Sequence, residues 1–108
     1  MPADRPSTTS LYTALDTIQA ELERLFPGLP EPTAADVANG GAFGAATMAF
    51  AQWLRFVFVP IARRRVSAGD LPGDSSVAAQ AVREFDGFPD ATGLIGMLAE
   101  FDAIVAGR

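Results

Sequence analysis

The chain has few residues that could do acid–base or nucleophilic chemistry. It contains no Cys and no His, which excludes thiolate nucleophiles, imidazole bases, disulfides and metal sites built on thiolate or imidazole ligands. Lys is absent as well, because all 8 basic residues are Arg. Carboxylates, arginines, hydroxyls and the single Tyr12 remain, which is a poor set for an enzyme at neutral pH. We therefore expect a protein that is not an enzyme and needs no cofactor.

Two pairs of carboxylates are the remaining candidates for hard-metal binding or acid–base work: Glu84 with Asp86, and Glu100 with Asp102. Side chains two residues apart on a helix point away from each other, so neither pair converges. Helical bundles that hold two metals through carboxylates also use His, which this chain lacks. The sequence predicts no catalytic residue and no metal site.

Aromatic and Met side chains surround the only tryptophan, Trp53. Such side chains line grooves into which ligands or partner helices dock. At helical spacing they also fit an ordinary hydrophobic core, so both interpretations stay open. Pro60 lacks the N–H that an α-helix needs and is expected to kink the helix that contains Trp53. The candidate binding residues are Phe43, Thr47, Met48, Phe50, Trp53, Arg55, Phe56 and Pro60.

Arg63, Arg64 and Arg65 form the only basic cluster. They are candidates for contact with an anion or an acidic partner surface. Their position in the last turn of a predicted helix also has a structural explanation, because a helix C-terminus carries partial negative charge.

Arg55 differs from this cluster because it lies alone on an apolar stretch. If it is buried, its charge needs a carboxylate from another helix. Asp102 and Glu100 are the predicted partners.

The glycine-rich residues 40–44 precede a predicted helix start, where backbone N–H groups can bind a phosphate. No strand precedes them, their spacing is not that of a dinucleotide-binding loop, and lysine is absent. Phosphate binding is therefore the weaker interpretation of this loop.

The length and the net charge of the chain limit the number of domains and the classes of partner. A chain of 108 residues forms one domain, and a net charge of −5 disfavours the anionic surfaces of nucleic acids and membranes. We expect no DNA or membrane partner, and RNA is disfavoured for the same reason. The first residues lack the apolar region of a signal peptide, which predicts a cytoplasmic protein.

Residues 1–7 are predicted to form a flexible tail, and residues 8–108 a single domain. A leucine-rich seam with steps of three and four residues predicts a first helix that ends at Phe26-Pro27-Gly28. Residues 28–44 are rich in Pro and Gly and predict a long connection, with a helical turn at Thr33–Asn39.

The second helix is predicted from Met48 to about Ser67, with Thr47 as its N-cap. Apolar side chains cover most of its circumference, which places it at the centre of the fold or in an interface. A third helix follows Ser75, its predicted N-cap, and Asp90 is the predicted N-cap of a fourth. No strand is predicted, so the fold class is an all-α, four-helix bundle with a proline-kinked central helix.

The run from Phe43 to Pro60 resembles the YqcC-like family of small bacterial proteins of unknown function. Thr47-Met48, Trp53-Leu54, Leu71-Pro72 and the segment from Leu98 to Val105 follow that family's pattern in the same order. The resemblance implies a four-helix, all-α fold and no established activity. Members are sometimes encoded beside a tRNA pseudouridine synthase, which implies an accessory role near RNA modification.

Three functions follow from these features. The first is a protein-interaction or accessory module that presents the apolar surface from Phe43 to Val59 to another protein or to a second copy. The second is a small-molecule binder with an apolar cavity around Trp53. The third is an accessory to tRNA pseudouridylation, which requires the arginines of the basic cluster to be exposed.

Overall fold

The computed structural model describes residues 8–71 and 75–107. Within these ranges it is all-helical, without a strand, and contains five helical segments. The predicted tail and residues 72–74 of the turn after the second helix lie outside the described residues. The segments are α1 (Thr8–Leu25), α2 (Ala34–Asn39), the central helix formed by α3 (Phe50–Trp53), a π turn (Leu54–Phe58) and α4 (Val59–Ala68), then α5 (Val77–Glu84) and α6 (Thr92–Val105).

The prediction of an all-α fold is confirmed, and α2 is the additional helix, where the sequence predicted a helical turn. Short 3₁₀ turns, Ala42–Gly44 and Pro89–Ala91, precede the central helix and α6. None of the helices in the described part of the chain is long and apolar enough to cross a membrane.

The leucine-rich seam predicted for α1 is buried at four of its five positions, because its spacing places these side chains on one face of the helix. The fifth, Leu25 at the helix end, is only partly buried. This face packs against α6 and α4. As predicted, the helix ends just before Pro27. The four seam residues, each at most 1% exposed, are Leu11, Leu15, Ile18 and Leu22.

The connection between α1 and the central helix is held by local hydrogen bonds. The Thr33 side chain accepts the Asp36 N–H at 3.0 Å, and the Asp36 carboxylate accepts the Thr33 N–H at 3.2 Å. This reciprocal capping box starts α2. Further along, the Gln52 amide donates to the Pro30 carbonyl at 3.0 Å and ties the connection to the central helix.

Pro60 changes the hydrogen bonding of the central helix ahead of it. Proline has no N–H and its ring collides with the carbonyl four residues earlier in an α-helix. The chain widens into a π turn over Leu54–Phe58, where the Val59 N–H donates to the Leu54 carbonyl, five residues back. Such one-turn π bulges are a known way for a helix to accommodate an inserted residue.

The π turn also decides which side chains face the core. A regular helix predicts one stripe through Phe50, Trp53, Leu54, Val57 and Ile61. This expectation is wrong beyond Leu54, because the wider turn shifts the register by one residue. Ile61 is 40% exposed. The buried side chains beyond the turn are Val59, Ala62 and Val66, at 1%, 8% and 6% exposure.

Three predicted N-caps are wrong, because none of these side chains caps a helix in the structure. Thr47 donates its hydroxyl to the Asp36 carbonyl, and the helix begins at Phe50. Asp90 lies in the 3₁₀ turn and forms no cap with α6. Ser75 donates its hydroxyl to a carboxylate on α6, that of Asp102, as described below.

Candidate functional site: an apolar groove beside the central helix

A groove of about 140 Å³ runs between the central helix and α6. Trp53, Val57 and Ile61, which lie one turn apart, form its wall on the central helix, and Phe101 and Val105 of α6 form the opposite side. We call this site the groove. Its other lining residues are Phe58, Ala62, Arg65, Leu71 and Ser75.

The π turn produces this groove. Because the register shifts after Leu54, Val57 and Ile61 turn away from the core while Val59 takes the buried position. The α6 side of the groove is firmly packed, since Phe101 and Val105 are only 3% and 6% exposed. The groove therefore has a rigid floor and a partly exposed apolar rim.

Trp53 belongs to a continuous series of aromatic contacts as well as to the groove. Its ring stacks on Phe50 at 5.8 Å, meets Phe43 edge-on at 5.2 Å and lies 5.7 Å from Phe58. Phe58 in turn meets Phe101 edge-on at 5.5 Å. These distances and angles are favourable for aromatic pairs. The indole is thus held from several sides, with its groove-facing surface left accessible.

The loop before the central helix packs on the same indole. Phe43 adopts a left-handed backbone conformation with φ of 56°, which is uncommon for a bulky residue and is maintained here by its ring contacts. A Cβ atom on Gly44 would lie 2.8 Å from the Met48 side chain and 3.0 Å from the Trp53 ring. The predicted residues Phe43 and Phe50 thus contact Trp53, and neither they nor Met48 line the groove.

The backbone N–H groups at the end of this loop are occupied. The N–H groups of Gly44, Ala45, Ala46, Thr47 and Met48 all donate to backbone carbonyls within the loop, at 3.0 to 3.2 Å. A phosphate-binding loop needs such groups to point outward without a partner. The N–H groups of residues 44–48 are therefore not available to a phosphate.

Next to the groove, the outward face of the central helix carries Phe56, Pro60 and Arg64, spaced by four residues. We call these three residues the outer ridge. Phe56 and Pro60 are half-buried, and Arg64 is exposed. The Arg55 guanidinium lies over the Phe56 ring at 4.9 Å from its centroid, a cation–π contact that holds the ring in place.

The arginines of the central helix do not form one patch. Arg63 forms an ion pair with Asp16 on α1 at 2.8 Å. Arg65 folds back along the helix C-terminus and donates from Nε to the Asp70 carbonyl at 2.9 Å. Arg64 has no ion pair within residues 8–71 and 75–107. The exposed cationic cluster required by the RNA hypothesis is therefore reduced to one unpaired arginine.

Arg55 also differs from its prediction. Its guanidinium lies 3.4 Å from the Glu23 carboxylate on α1, and not beside Asp102 or Glu100. Its side chain is 26% exposed, so the ion pair is at the surface and the condition of burial is not met. Packing of α1 against the central helix, which the sequence does not specify, decides this pairing.

Asp102 holds the far wall of the groove by capping α5 from another helix. Its carboxylate accepts the Ala78 N–H at 2.8 Å, the Val77 N–H at 3.3 Å and the Ser75 hydroxyl. Two free N–H groups at a helix start are thus satisfied by one carboxylate, which the helix dipole also favours. Ser75 lines the groove, so this cap fixes part of its wall.

The structure thus divides the predicted site. Two of the predicted residues, Trp53 and Arg65, line the groove. Three others, Phe56, Pro60 and Arg64, form the outer ridge. Sequence reasoning missed Phe101 and Val105 as groove residues because their helical spacing indicates core alone. The only sequence signal for the groove is a proline inside an apolar helix.

Two other clefts carry none of the predicted site residues. One, of about 300 Å³, lies between α1 and α6 and is lined mainly by hydroxyls and Glu100. The other, of about 350 Å³, is a wide opening around Phe85 and Phe88.

No group of three or more carboxylates that could hold a metal occurs in the described part of the chain. Hydrogen bonds from Arg24 lower the pKa of Glu21, on α1 and outside the groove.

Comparison with protein families identifies the family of this chain. A family model described as tRNA pseudouridine synthase C, DUF446, matches residues 10–104. This chain belongs to the DUF446 family. The match covers α1 through almost all of α6, and it agrees with the expectation of a small family of uncharacterised function. No curated protein and no solved structure matches this chain.

Proposed function

We propose that this domain is a non-enzymatic interaction module that binds another protein through the groove and the outer ridge. The observation that carries the proposal is the outward turn of Val57 and Ile61, which leaves apolar surface on a helix whose core face is already filled by Leu54, Val59 and Ala62. Neither side chain belongs to the buried core. An apolar groove with a partly exposed rim is where an amphipathic partner helix can dock.

A photo-crosslinking amino acid at position 61 tests the proposal in the cells that make the protein. We expect one dominant protein to be crosslinked from position 61 and not from Ala79, an exposed position on α5. The purified partner should then bind the domain, and Phe56→Ala should weaken that binding at least tenfold without lowering the melting temperature appreciably. Equal crosslinking from both positions, or unchanged binding of Phe56→Ala, would contradict the proposal.

The family description supports a more specific version, in which the domain is an accessory to tRNA pseudouridylation. The net charge of −5 and the paired state of Arg63 and Arg65 favour contact with a synthase enzyme over contact with tRNA. A titration of a purified tRNA pseudouridine synthase and of unmodified tRNA separates these cases. Salt-sensitive binding to tRNA alone, lost in Arg64→Gln, would favour direct RNA contact.

The alternative function is binding of a small molecule in the groove, because Trp53 is one of its lining residues. The groove volume of about 140 Å³ is below the roughly 300–1,000 Å³ typical of small-molecule sites. Trp53 fluorescence distinguishes the two: a metabolite extract free of protein should leave it unchanged. A saturable shift at fixed protein concentration would favour the small-molecule function.

A further inference from the structure

We infer that the partner presents an acidic amphipathic helix whose single bulky apolar side chain, an anchor, inserts into the groove. This inference rests on the proposed function and names the chemistry of the surface that the groove binds. Three observations carry it: the size of the groove, the charge of the central helix and the poor fit of a second copy.

The size of the groove limits the anchor to one side chain. Cavities of about 150 Å³ hold one benzene ring, and the groove measures about 140 Å³. Its lining is apolar apart from Arg65 and Ser75, and the Ser75 hydroxyl is already bonded to Asp102. One Leu, Met or Phe side chain fits this site, as anchors do where an amphipathic helix lies in a groove.

The charge of the central helix indicates which side chains flank the anchor on the partner helix. Residues 50–68 contain four arginines and no carboxylate. Arg55 and Arg63 are turned toward carboxylates of α1, and Arg65 is bonded to the Asp70 carbonyl with the Asp70 carboxylate 3.8 Å away. Arg64 of the outer ridge is exposed beside the end of the groove. A carboxylate about one turn from the anchor would meet it, which gives complementary charge across the interface.

A second copy of this chain fits the groove poorly. A symmetric pairing through the groove would place the central helix against itself, and this helix has no carboxylate to meet Arg64. Like charges opposed across an interface disfavour association. The observations therefore favour a different protein over self-association.

A peptide selection against the whole protein tests the inference. The probe is a display library of alanine-based helical peptides with one randomised central position and randomised positions three and four residues to either side. We expect Leu, Met or Phe at the centre, with Asp and Glu enriched at least tenfold over Lys and Arg at the flanks. One selected peptide should then bind Arg64→Glu at least tenfold more weakly than the parent protein.

Two matched variants separate the possible outcomes. Ile61→Asp places a charge in the groove, and Val82→Asp places one at an exposed apolar position on α5, at 57% exposure; circular dichroism checks that both fold. Binding lost only in Ile61→Asp with acidic flanks supports the inference. Neutral or basic flanks with the same dependence on Ile61 overturn the acidic partner and leave the proposed function standing.

Peptides that bind Ile61→Asp as tightly as the parent, or no enrichment at all, overturn both the inference and the proposed function. Sedimentation across a dilution series of the tag-free protein is the second measurement. We expect a monomer. A dimer that dissociates in Ile61→Asp but not in Val82→Asp would assign the groove to a second copy and overturn the inference of an acidic partner.

Discussion

The two faces of the central helix carry equally apolar side chains but have different surroundings. On the inward face, Leu54 and Val59 are at most 1% exposed and contribute to the main core. On the outward side, Val57 and Ile61 line the groove, and Ile61 is 40% exposed. Hydrophobicity alone does not distinguish these positions. The backbone register does, because the π turn adds one residue between the two halves of the helix.

This comparison implies that substitutions on the inward face change stability and that substitutions on the outward side change binding. Burial supplies stabilisation in proportion to the apolar area removed from water. A side chain left partly exposed contributes less to folding and remains available to a partner. Five predictions test or refine this division.

The largest expected effect is on the inward face, at Leu54. Leu54→Ala removes a fully buried side chain and leaves a cavity, so we expect a loss of about 2–5 kcal/mol in the free energy of unfolding, measured by urea denaturation. Phe56→Ala on the outer ridge is the matched control and should cost less than about 1 kcal/mol. Similar losses in the two variants would show that the faces are not distinct.

The next effect concerns the cap that holds the groove wall. Asp102→Ala removes the acceptor of the Val77 and Ala78 N–H groups and of the Ser75 hydroxyl, so we expect a loss of about 1–3 kcal/mol. Asp102→Asn keeps one oxygen acceptor and should lose less. Glu100→Ala, an exposed neighbour on α6, should be nearly neutral. Chemical denaturation monitored at Trp53 measures all three.

A one-residue deletion tests the origin of the two faces. Deleting Phe56 together with Pro60→Ala places Val59 four residues after Leu54, the spacing of a regular α-helix. The same core residues can then face inward without a π turn, so we expect cooperative unfolding within about 1 kcal/mol of the parent. Deleting Thr17 in α1 is the control, because it moves Ile18 and Leu22 off the buried face. A collapse of the double variant as severe as that of the control would contradict the register argument.

A smaller effect distinguishes the neighbouring arginines. Arg63→Gln breaks the ion pair with Asp16, and since both side chains are partly exposed we expect a cost of roughly 0.2–1 kcal/mol that decreases at high salt. Arg64→Gln should leave the melting temperature unchanged, because its side chain has no ion pair in the described residues. A larger effect of Arg64→Gln would assign Arg64 a role in folding.

The smallest effect is a surface titration remote from both faces. Hydrogen bonds from Arg24, at 2.6 and 2.9 Å, lower the pKa of Glu21, against an opposing effect of partial burial. A lowered pKa means that the stabilising contribution is present above the ordinary pKa of Glu and is lost as the pH falls through the lowered value. Arg24→Gln should raise the pKa of Glu21 in an NMR titration, and Arg64→Gln should not.

Much of the fold could be predicted because its determinants are local. The α1 seam follows from the spacing of Leu11, Leu15, Ile18 and Leu22, and α2 follows from its capping residues Thr33 and Asp36. The prediction of a distorted central helix at Pro60 follows from covalent structure. Here, side-chain spacing and hydrogen-bonding capacity over a few residues are sufficient.

The candidate site could be predicted only in part. Trp53 and the outer ridge belong to the residues that the sequence singles out, but Phe101 and Val105 do not. The sequence also does not show that Arg55 pairs with Glu23, or that Asp102 caps α5. Each of these contacts joins residues that are distant along the chain.

The sequence by itself determined the absence of Cys, His and Lys, the helical class and an excess of apolar surface on the central helix. Only the tertiary structure decided which part of that surface is core and which part is groove. The physical reason is that Pro60 removes one hydrogen-bond donor without specifying how the helix compensates. Packing of α1 against α4, with Leu54 and Val59 buried in the main core, fixes the register, and that register turns Val57 and Ile61 outward.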